Sequence, residues 1–233
     1  MKILALDTST ERLSVALLCH EQILTYEDQG GAFASTRLLP AVNSLVKQAG
    51  LELCEIEIIA FANGPGAFSG LRTACSTSQG LAVGLGCPVI TVDSLLIVAQ
   101  DAILQHNRND SSVIVVMDAR LNEVYAGVYH FDGNNWLCLN NPALYNPTNL
   151  VSELSDIISR LPNLIWAGSG VNLVCHPSIS DYNKYATESN RSLALGKSAF
   201  YSLLNNQTLD PSLALPIYVR DKVALTITER KTS

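Results

Sequence analysis

The sequence predicts a two-lobed α/β fold in which one supersecondary pattern is run through twice. Three observations predict it. The chain opens on three short β-prone runs, at 2–6, 13–18 and 22–26, separated by polar turns as in an antiparallel meander. It then alternates: a helix at 38–48, a strand at 57–62, a helix at 70–84, a strand at 88–92 and a helix at 94–104. After the polar block 106–112, which lacks apolar periodicity and reads as a linker, three more strand runs follow at 113–117, 123–129 and 136–139. A helix at 150–159, a strand at 164–167, a glycine turn and a helix at 194–205 complete the second round. Two rounds of three strands followed by alternating helices and strands point to duplicated lobes, divided as 1–105 and 106–233, rather than to a TIM barrel or a Rossmann sheet.

Each element has a local reason. In 38–48 the residues Leu38, Leu39, Val42, Leu45, Val46 and Ala49 recur at helical spacing, Gly50 supplies a stop, and Pro40 marks the first turn or a kink. The segment 57–62, apolar from Ile58 onward, leads into Asn63-Gly64-Pro65-Gly66, a strand followed by a turn. With 48% hydrophobic residues among 233, the chain can bury a sizeable core. Its formal net charge of −6 argues against a free-standing nucleic-acid binder, which needs basic residues to neutralise phosphates. Arg220, Lys222, Arg230 and Lys231 are too few for a phosphate track, so any contact with RNA is expected to need a partner that holds it. The opening MKILALDTST carries a strand-length apolar run broken by Asp7, too short for a secretory signal, and the longest apolar stretch is interrupted by glycines and Pro88. A cytoplasmic address without a membrane span is expected. Six cysteines without a C-x-x-C pair fit reduced thiols in such a compartment.

Three turns could carry chemistry. Asp7-Thr8-Ser9-Thr10 lies between the first two strands, where backbone N–H groups and small hydroxyls can face a phosphate and a carboxylate can face a metal-bound water. The same residues also make an ordinary β-turn. Asp118-Ala119-Arg120 stands at the matching place in the second round, and Gly168-Ser169-Gly170 ends a later strand as an adenine-side turn does; together the three turns suggest a nucleotide cleft between lobes. The most distinctive block, Gly64-Pro65-Gly66-Ala67-Phe68-Ser69-Gly70-Leu71-Arg72, lets a backbone approach either a ligand or a neighbouring element closely. Small residues continue through Ala74, Ser76, Thr77, Ser78, Gly80 and Ala82, which favours an interface with another helix. Gly196-Lys197-Ser198 imitates the end of a P-loop, but the motif's first glycine would fall at Arg191 and no strand leads into it. The four histidines are isolated, no pair has ligand spacing and no nucleophile elbow occurs, so no metal is expected.

The blocks ILALDTSTERLSVAL, RLLPAV, NGPGAFSGLRTACSTSQGLA, MDARLNEVYAGVY and PIYVRDKVA resemble, in the same order, the TsaB (YeaZ-type) family, and the resemblance runs over residues 2–224. It implies the actin-like ATPase fold, a duplicated RNase H-like architecture. It also implies a paralogue of TsaD, the subunit that transfers the threonylcarbamoyl group to the tRNA adenosine beside the anticodon. The role implied is that of a non-catalytic activator working with TsaD and the small ATPase TsaE, able to self-associate as a homodimer, with no cofactor of its own apart from ATP or ADP at a partner interface. A stand-alone actin-like ATPase or glycoprotease-like hydrolase is the alternative. The chain departs from the pattern in three places. Ser94 and Val98 occupy the positions of the transferase's metal-binding histidine pair, Ser9 stands where actin-like ATPases have a phosphate-loop glycine, and Phe33-Ala34-Ser35-Thr36-Arg37 lacks the histidine often found before the LLP segment. The nucleotide site (Asp7, Thr8, Ser9, Thr10, Asp118, Gly168, Ser169, Gly170) is therefore expected to be vestigial. The partner surface is expected on the two early helices, at Leu38, Leu39, Val42, Leu45, Val46, Leu71, Arg72, Ala74, Ser78 and Leu81.

Overall fold

A computed structural model describes residues 1–20, 22–106, 110–177, 179, 184–186 and 188–220. Three residues of the expected linker, and Lys222, Arg230 and Lys231 of the basic tail, lie outside the described residues.

The first meander forms as expected. Strands β1 (Lys2–Asp7), β2 (Arg12–Cys19) and β3 (Gln22–Gln29) pair antiparallel, with Asp7 opposite Ser14 and Lys2 opposite Cys19. Helix α1 (Ala34–Gln48) leads to β4 (Ile58–Gly64), α2 (Phe68–Leu85), β5 (Val89–Asp93) and α3 (Ser94–His106). The second round supplies β6 (Ser111–Asp118), β7 (Val124–Phe131), β8 (Trp136–Tyr145), the single turns α4 (Leu150–Glu153) and α5 (Ser155–Ile158), β9 (Leu164–Ala167), β10 (Lys184–Tyr185), α6 (Arg191–Leu204) and β11 (Thr208–Leu209). One sheet has the order β11-β5-β4-β1-β2-β3 and the other β10-β9-β6-β7-β8. Apart from β11 the two orders are the same path, a meander whose first strand also pairs in parallel with the next strand in line. That duplication is the actin-like architecture.

The layers follow from strands buried on both faces. In β1, Leu4 and Leu6 point into one core with α1 and α2, while Ile3 and Ala5 point into another with α6 and Ile97 of α3. In β6, Val113, Val115 and Met117 face α3, while Ile114 and Val116 face Leu150 and Leu154. Helix α3 therefore stands between the sheets, with α6 beside it. The boundary expected at 105/106 falls at the end of α3, yet the chain crosses back: α6 packs on β1, β2 and β5, and β11 extends the first sheet.

Several expected bounds shift for identifiable reasons. β8 runs six residues past its expected end because it is an edge strand, where Pro142 has no ladder donor to supply. The expected helix 150–159 breaks at Leu154 into two turns. α6 begins three residues early, since the Asn190 side chain caps it by accepting from the Leu193 N–H. Pro40 lies inside α1, past its first turn and on the exposed side.

The partner surface drawn from the sequence requires correction. Leu38, Val42, Leu45 and Val46 are each no more than 3% exposed and fill the core beneath α1. Leu71, Ala74 and Ser78 are likewise buried on α2, and Leu81 is partly buried against the same core. The apolar stripe of α1 is consumed by two neighbours, because α1 packs against α2 as well as on β2 and β3. Among the ten residues, Leu39 and Arg72 remain outside. Leu45→Asp should accordingly unfold the first lobe, since an unpaired buried charge costs roughly 3–5 kcal/mol. Leu39→Asp should shift the urea midpoint little; circular dichroism during urea denaturation distinguishes the two.

Candidate functional site: the cleft between the lobes

The ends of β1, β4 and β6 converge on a cleft of about 650 Å³, lined among others by Ser9, Thr10, Gly66, Asp118, Ser169 and Tyr125. The sequence pointed to this place, and the structure sorts its residues. Ser9, Thr10, Asp118 and Ser169 reach the wall. Asp7, Thr8, Gly168 and Gly170 lie behind it, buried.

The Asp7 carboxylate is fully engaged from within. One oxygen accepts from the Ser9 N–H at 2.7 Å and the other from Arg191 Nε at 2.6 Å. Arg191 is 0% exposed and Asp7 1%. The guanidinium also donates to Ser9 Oγ at 3.1 Å and to Glu188 at 2.5 Å. Burial works against the Arg191 charge, but Asp7 and Glu188 outweigh it and hold the group firmly protonated. A second carboxylate anchors the same segment: Glu27 accepts from the Ser192 N–H and hydroxyl with one oxygen and binds Arg12 with the other. Asp101 on α3 receives the N–H groups of Ser189 and Asn190. The start of α6 is thus pinned from three sides.

Glycines of the 64–72 block serve close packing. A Cβ on Gly70 would lie 1.8 Å from the Thr8 carbonyl oxygen, and one on Gly66 would lie 2.5 Å from that of Ser9. The start of α2 rests directly on the first turn: Thr8 Oγ1 donates to the Gly70 carbonyl at 2.7 Å and Ala67 N–H donates to the Ser9 carbonyl at 2.7 Å. Of the two readings of these glycines, the structure realises the approach of a neighbouring element. Gly168, at φ +107°, does the same on the other side, where a Cβ would meet the Val116 carbonyl at 2.4 Å. Asp118 remains at the wall, accepting from the Arg120 N–H, while its own N–H donates to Ser169 Oγ.

Among the described residues no group of His, Cys, Asp and Glu could hold a metal ion. Ser94 accepts from the Gly64 N–H at 3.1 Å, tying β4 to α3, and Val98 is buried in the core of the second sheet. The P-loop imitation lies inside α6, with Gly196 against Leu18 and Ile23. No helix among the described residues is long and apolar enough to cross a membrane.

Arg191 is the residue that sequence reasoning missed. Its pairing with Asp7 spans 184 positions, beyond any spacing rule. One signal did exist: Arg191, Leu195, Ser198 and Ser202 share the inward stripe of α6, and a charge on a buried stripe needs a partner. A second buried group joins the lobes. Tyr129 of β7 donates to Asp93, at the end of β5, at 2.5 Å, and burial pushes the Asp93 carboxyl up to about 6 against the hydrogen bonds from Tyr129 and from the Leu95 and Leu96 backbone.

Two outcomes follow. Arg191→Ala leaves Asp7 buried and unpaired and should cost about 3–5 kcal/mol in urea-unfolding free energy. For Asp93 the folded-state value lies above the unfolded one, so its stabilising contribution is complete at low pH and is lost as pH rises through about 6. From pH 5 to pH 8 the native protein should therefore lose about 1–3 kcal/mol of stability relative to Asp93→Asn, followed by urea unfolding at each pH.

Residues 30–161 match the family model for TsaD, tRNA N6-adenosine threonylcarbamoyltransferase. The chain is 27% identical over 230 residues to the tRNA threonylcarbamoyladenosine biosynthesis protein TsaB of Escherichia coli, with 96% of each chain covered. It is 34% identical over 169 residues to the protein of the same name from Buchnera aphidicola subsp. Baizongia pistaciae, covering 72% of this chain and 75% of that one. Against the Haemophilus influenzae protein of that name the identity is 38%, and the chain spans about half of that relative, 52% of its length. A crystal structure from Pseudomonas aeruginosa, described as similar to the peptidase YEAZ, superposes with a TM-score of 0.82 at 31% identity, covering 94% of this chain and 99% of that one. On its two-fold repeated topology and on these matches, the chain belongs to the TsaB (YeaZ-type) family.

Proposed function

We propose that this chain is a non-catalytic partner subunit in the biosynthesis of tRNA threonylcarbamoyladenosine, organising the transferase TsaD together with the ATPase TsaE. The observation that carries the reading is the Arg191 guanidinium on Asp7. The carboxylate that would face a metal-bound water at the phosphate side of an actin-like cleft is already neutralised by the chain itself. An ATP or ADP molecule belongs, in this reading, at a partner interface. tRNA is reached through the assembled complex, in keeping with the net charge of −6.

The outer faces of α1 and α2 support a docking role. Leu39 is 48% exposed and Val83 71% exposed, and between them Ser76, Gly80 and Gly84 face outward, small enough for another helix to approach closely. Lys47, Arg72 and the partly exposed Arg37, which already pairs with Asp28, are the charged residues of the two helices, so little charge needs to be desolvated on docking. In this reading TsaD docks on this face, and a second copy of the chain uses the same face in a homodimer.

Reconstitution tests the reading. The pure chain should hydrolyse ATP negligibly and transfer no threonylcarbamoyl group, yet restore transfer when TsaD, TsaE and the activated intermediate are supplied. Turnover by the chain alone, lost in Asp118→Ala, would instead establish the stand-alone ATPase or hydrolase. Leu39→Asp combined with Val83→Asp should weaken co-elution with TsaD at least tenfold, about 1.4 kcal/mol, in size-exclusion chromatography while leaving the circular dichroism spectrum unchanged. Full affinity in that variant would move the docking face elsewhere.

A further inference from the structure

The end of the described chain forms a strap whose contacts the docking and cleft readings leave unused. After β11, Asp210 caps a short 3-10 turn, Pro211–Leu213, by accepting from the Ser212 N–H. The chain then runs along α2. Gln79 donates from one amide nitrogen to the carbonyls of both Pro211 and Ala214, at 3.0 and 3.1 Å. Ala214 is 0% exposed, and its carbonyl also accepts from the Cys75 thiol at 3.3 Å. Farther on, the Ile217 N–H donates to the Asn63 carbonyl at 2.7 Å. There the strap passes so close that a Cβ on Gly64 would lie 2.5 Å from the Ile217 carbonyl oxygen. Tyr218 stacks on Phe68 with ring centroids 5.0 Å apart and accepts from Arg72 Nε at 3.2 Å, while the Arg72 guanidinium lies over the Phe68 ring at 3.9 Å.

Up to this point every contact is to the first lobe. Arg220 then crosses the cleft: its guanidinium pairs with Glu123 at 2.5 Å and lies 3.4 Å from the Arg120 carbonyl, both in the turn between β6 and β7. Ile217, Tyr218, Val219 and Arg220 thereby form one wall of the 650 Å³ cleft. Among the described residues the crossing rests on Arg220, through its ion pair with Glu123 and its contact with the Arg120 carbonyl, whereas the remainder is held by backbone, side-chain and aromatic contacts to α2 and the β4–α2 turn.

We propose that residues 210–220 are a latch over the interlobe cleft, and that the Arg220–Glu123 pair is its catch. Releasing the catch frees the far end from the second lobe and lets the strap peel from α2, opening the cleft on that side and uncovering Cys75. The groove beside the strap, lined by Arg72, Thr73, Cys75, Ser76, Gln79, Pro216 and Tyr218, is where the peeled segment leaves α2 bare. The groove shares Arg72 and Ser76 with the proposed docking face of α2, so the opening is read on the chain alone, without TsaD, where it stands or falls separately from the docking role.

Cysteine labelling reads the latch directly. Cys54, Cys138 and Cys175 are exposed, whereas Cys75 and Cys87 are buried, and burial raises both of the latter thiols. Cys75 lies under the strap, while Cys87, past the end of α2, receives no strap contact among the described hydrogen bonds, so it reports general loosening. With the full chain and N-ethylmaleimide, followed by peptide mass spectrometry, Arg220→Glu and Glu123→Arg should each speed Cys75 labelling at least tenfold and leave Cys87 unchanged. The doubly reversed protein, Glu123→Arg with Arg220→Glu, should restore slow labelling. The proposal is overturned if Cys75 keeps its native rate in both single variants. It is equally overturned if Cys75 and Cys87 accelerate together, or if the double reversal does not return Cys75 toward the native rate.

Discussion

The buried pair between Asp7 and Arg191 is the constraint on which the arrangement of this protein turns. The Asp7 carboxylate at the end of β1 is 1% exposed, and a charge buried so deeply is costly unless it is paired and hydrogen-bonded. The chain supplies that partner from the first turn of α6, 184 residues away, with Glu188 and Ser9 satisfying the rest of the guanidinium. Fixing Arg191 also fixes where α6 starts, and therefore how it lies on β1, β2 and β5. A helix that follows the second lobe in sequence is in this way anchored to the first.

Close approach does the complementary work on the other side of the first turn. Gly66 and Gly70 leave no room for side chains between α2 and the backbone of Thr8 and Ser9. With α2 pressed on one side and Arg191 on the other, the turn that in an active nucleotide cleft would flex around a phosphate is locked by packing and hydrogen bonds. Such a site has little to reorganise, in keeping with the non-catalytic role proposed above. The same logic extends to the lobe junction, where Tyr129 holds Asp93, Trp136 holds Gln100 on α3, and the Arg220 crossing spans the cleft mouth.

The helices α1 and α2 show how a correct element can mislead about its faces. Their apolar stripe was legible, and its breadth suggested surplus surface. Breadth alone does not distinguish a helix with an exposed apolar face from one wedged between a sheet and another helix. The small residues divide in the same way. Ala74 and Ser78 face inward, whereas Ser76, Gly80 and Gly84 face outward, and a two-residue offset along the helix separates core from surface.

Local order determined a large part of this protein. Continuous apolar runs set the strands, since β1, β4 and β6 carry apolar residues at successive central positions, as a strand covered on both faces requires, and the repeat of that pattern implied two like sheets. The turns at Asp7, Asp118 and Gly168 were legible as the cleft's corners for the same reason: they end strands at corresponding places. Tertiary structure decided what no spacing encodes, namely that Arg191 completes Asp7, that α6 and β11 return to the first sheet, and that the strap closes on Glu123. These are contacts between groups distant in sequence. Their energies come from desolvation and mutual orientation, and those exist only once the chain has brought the groups together.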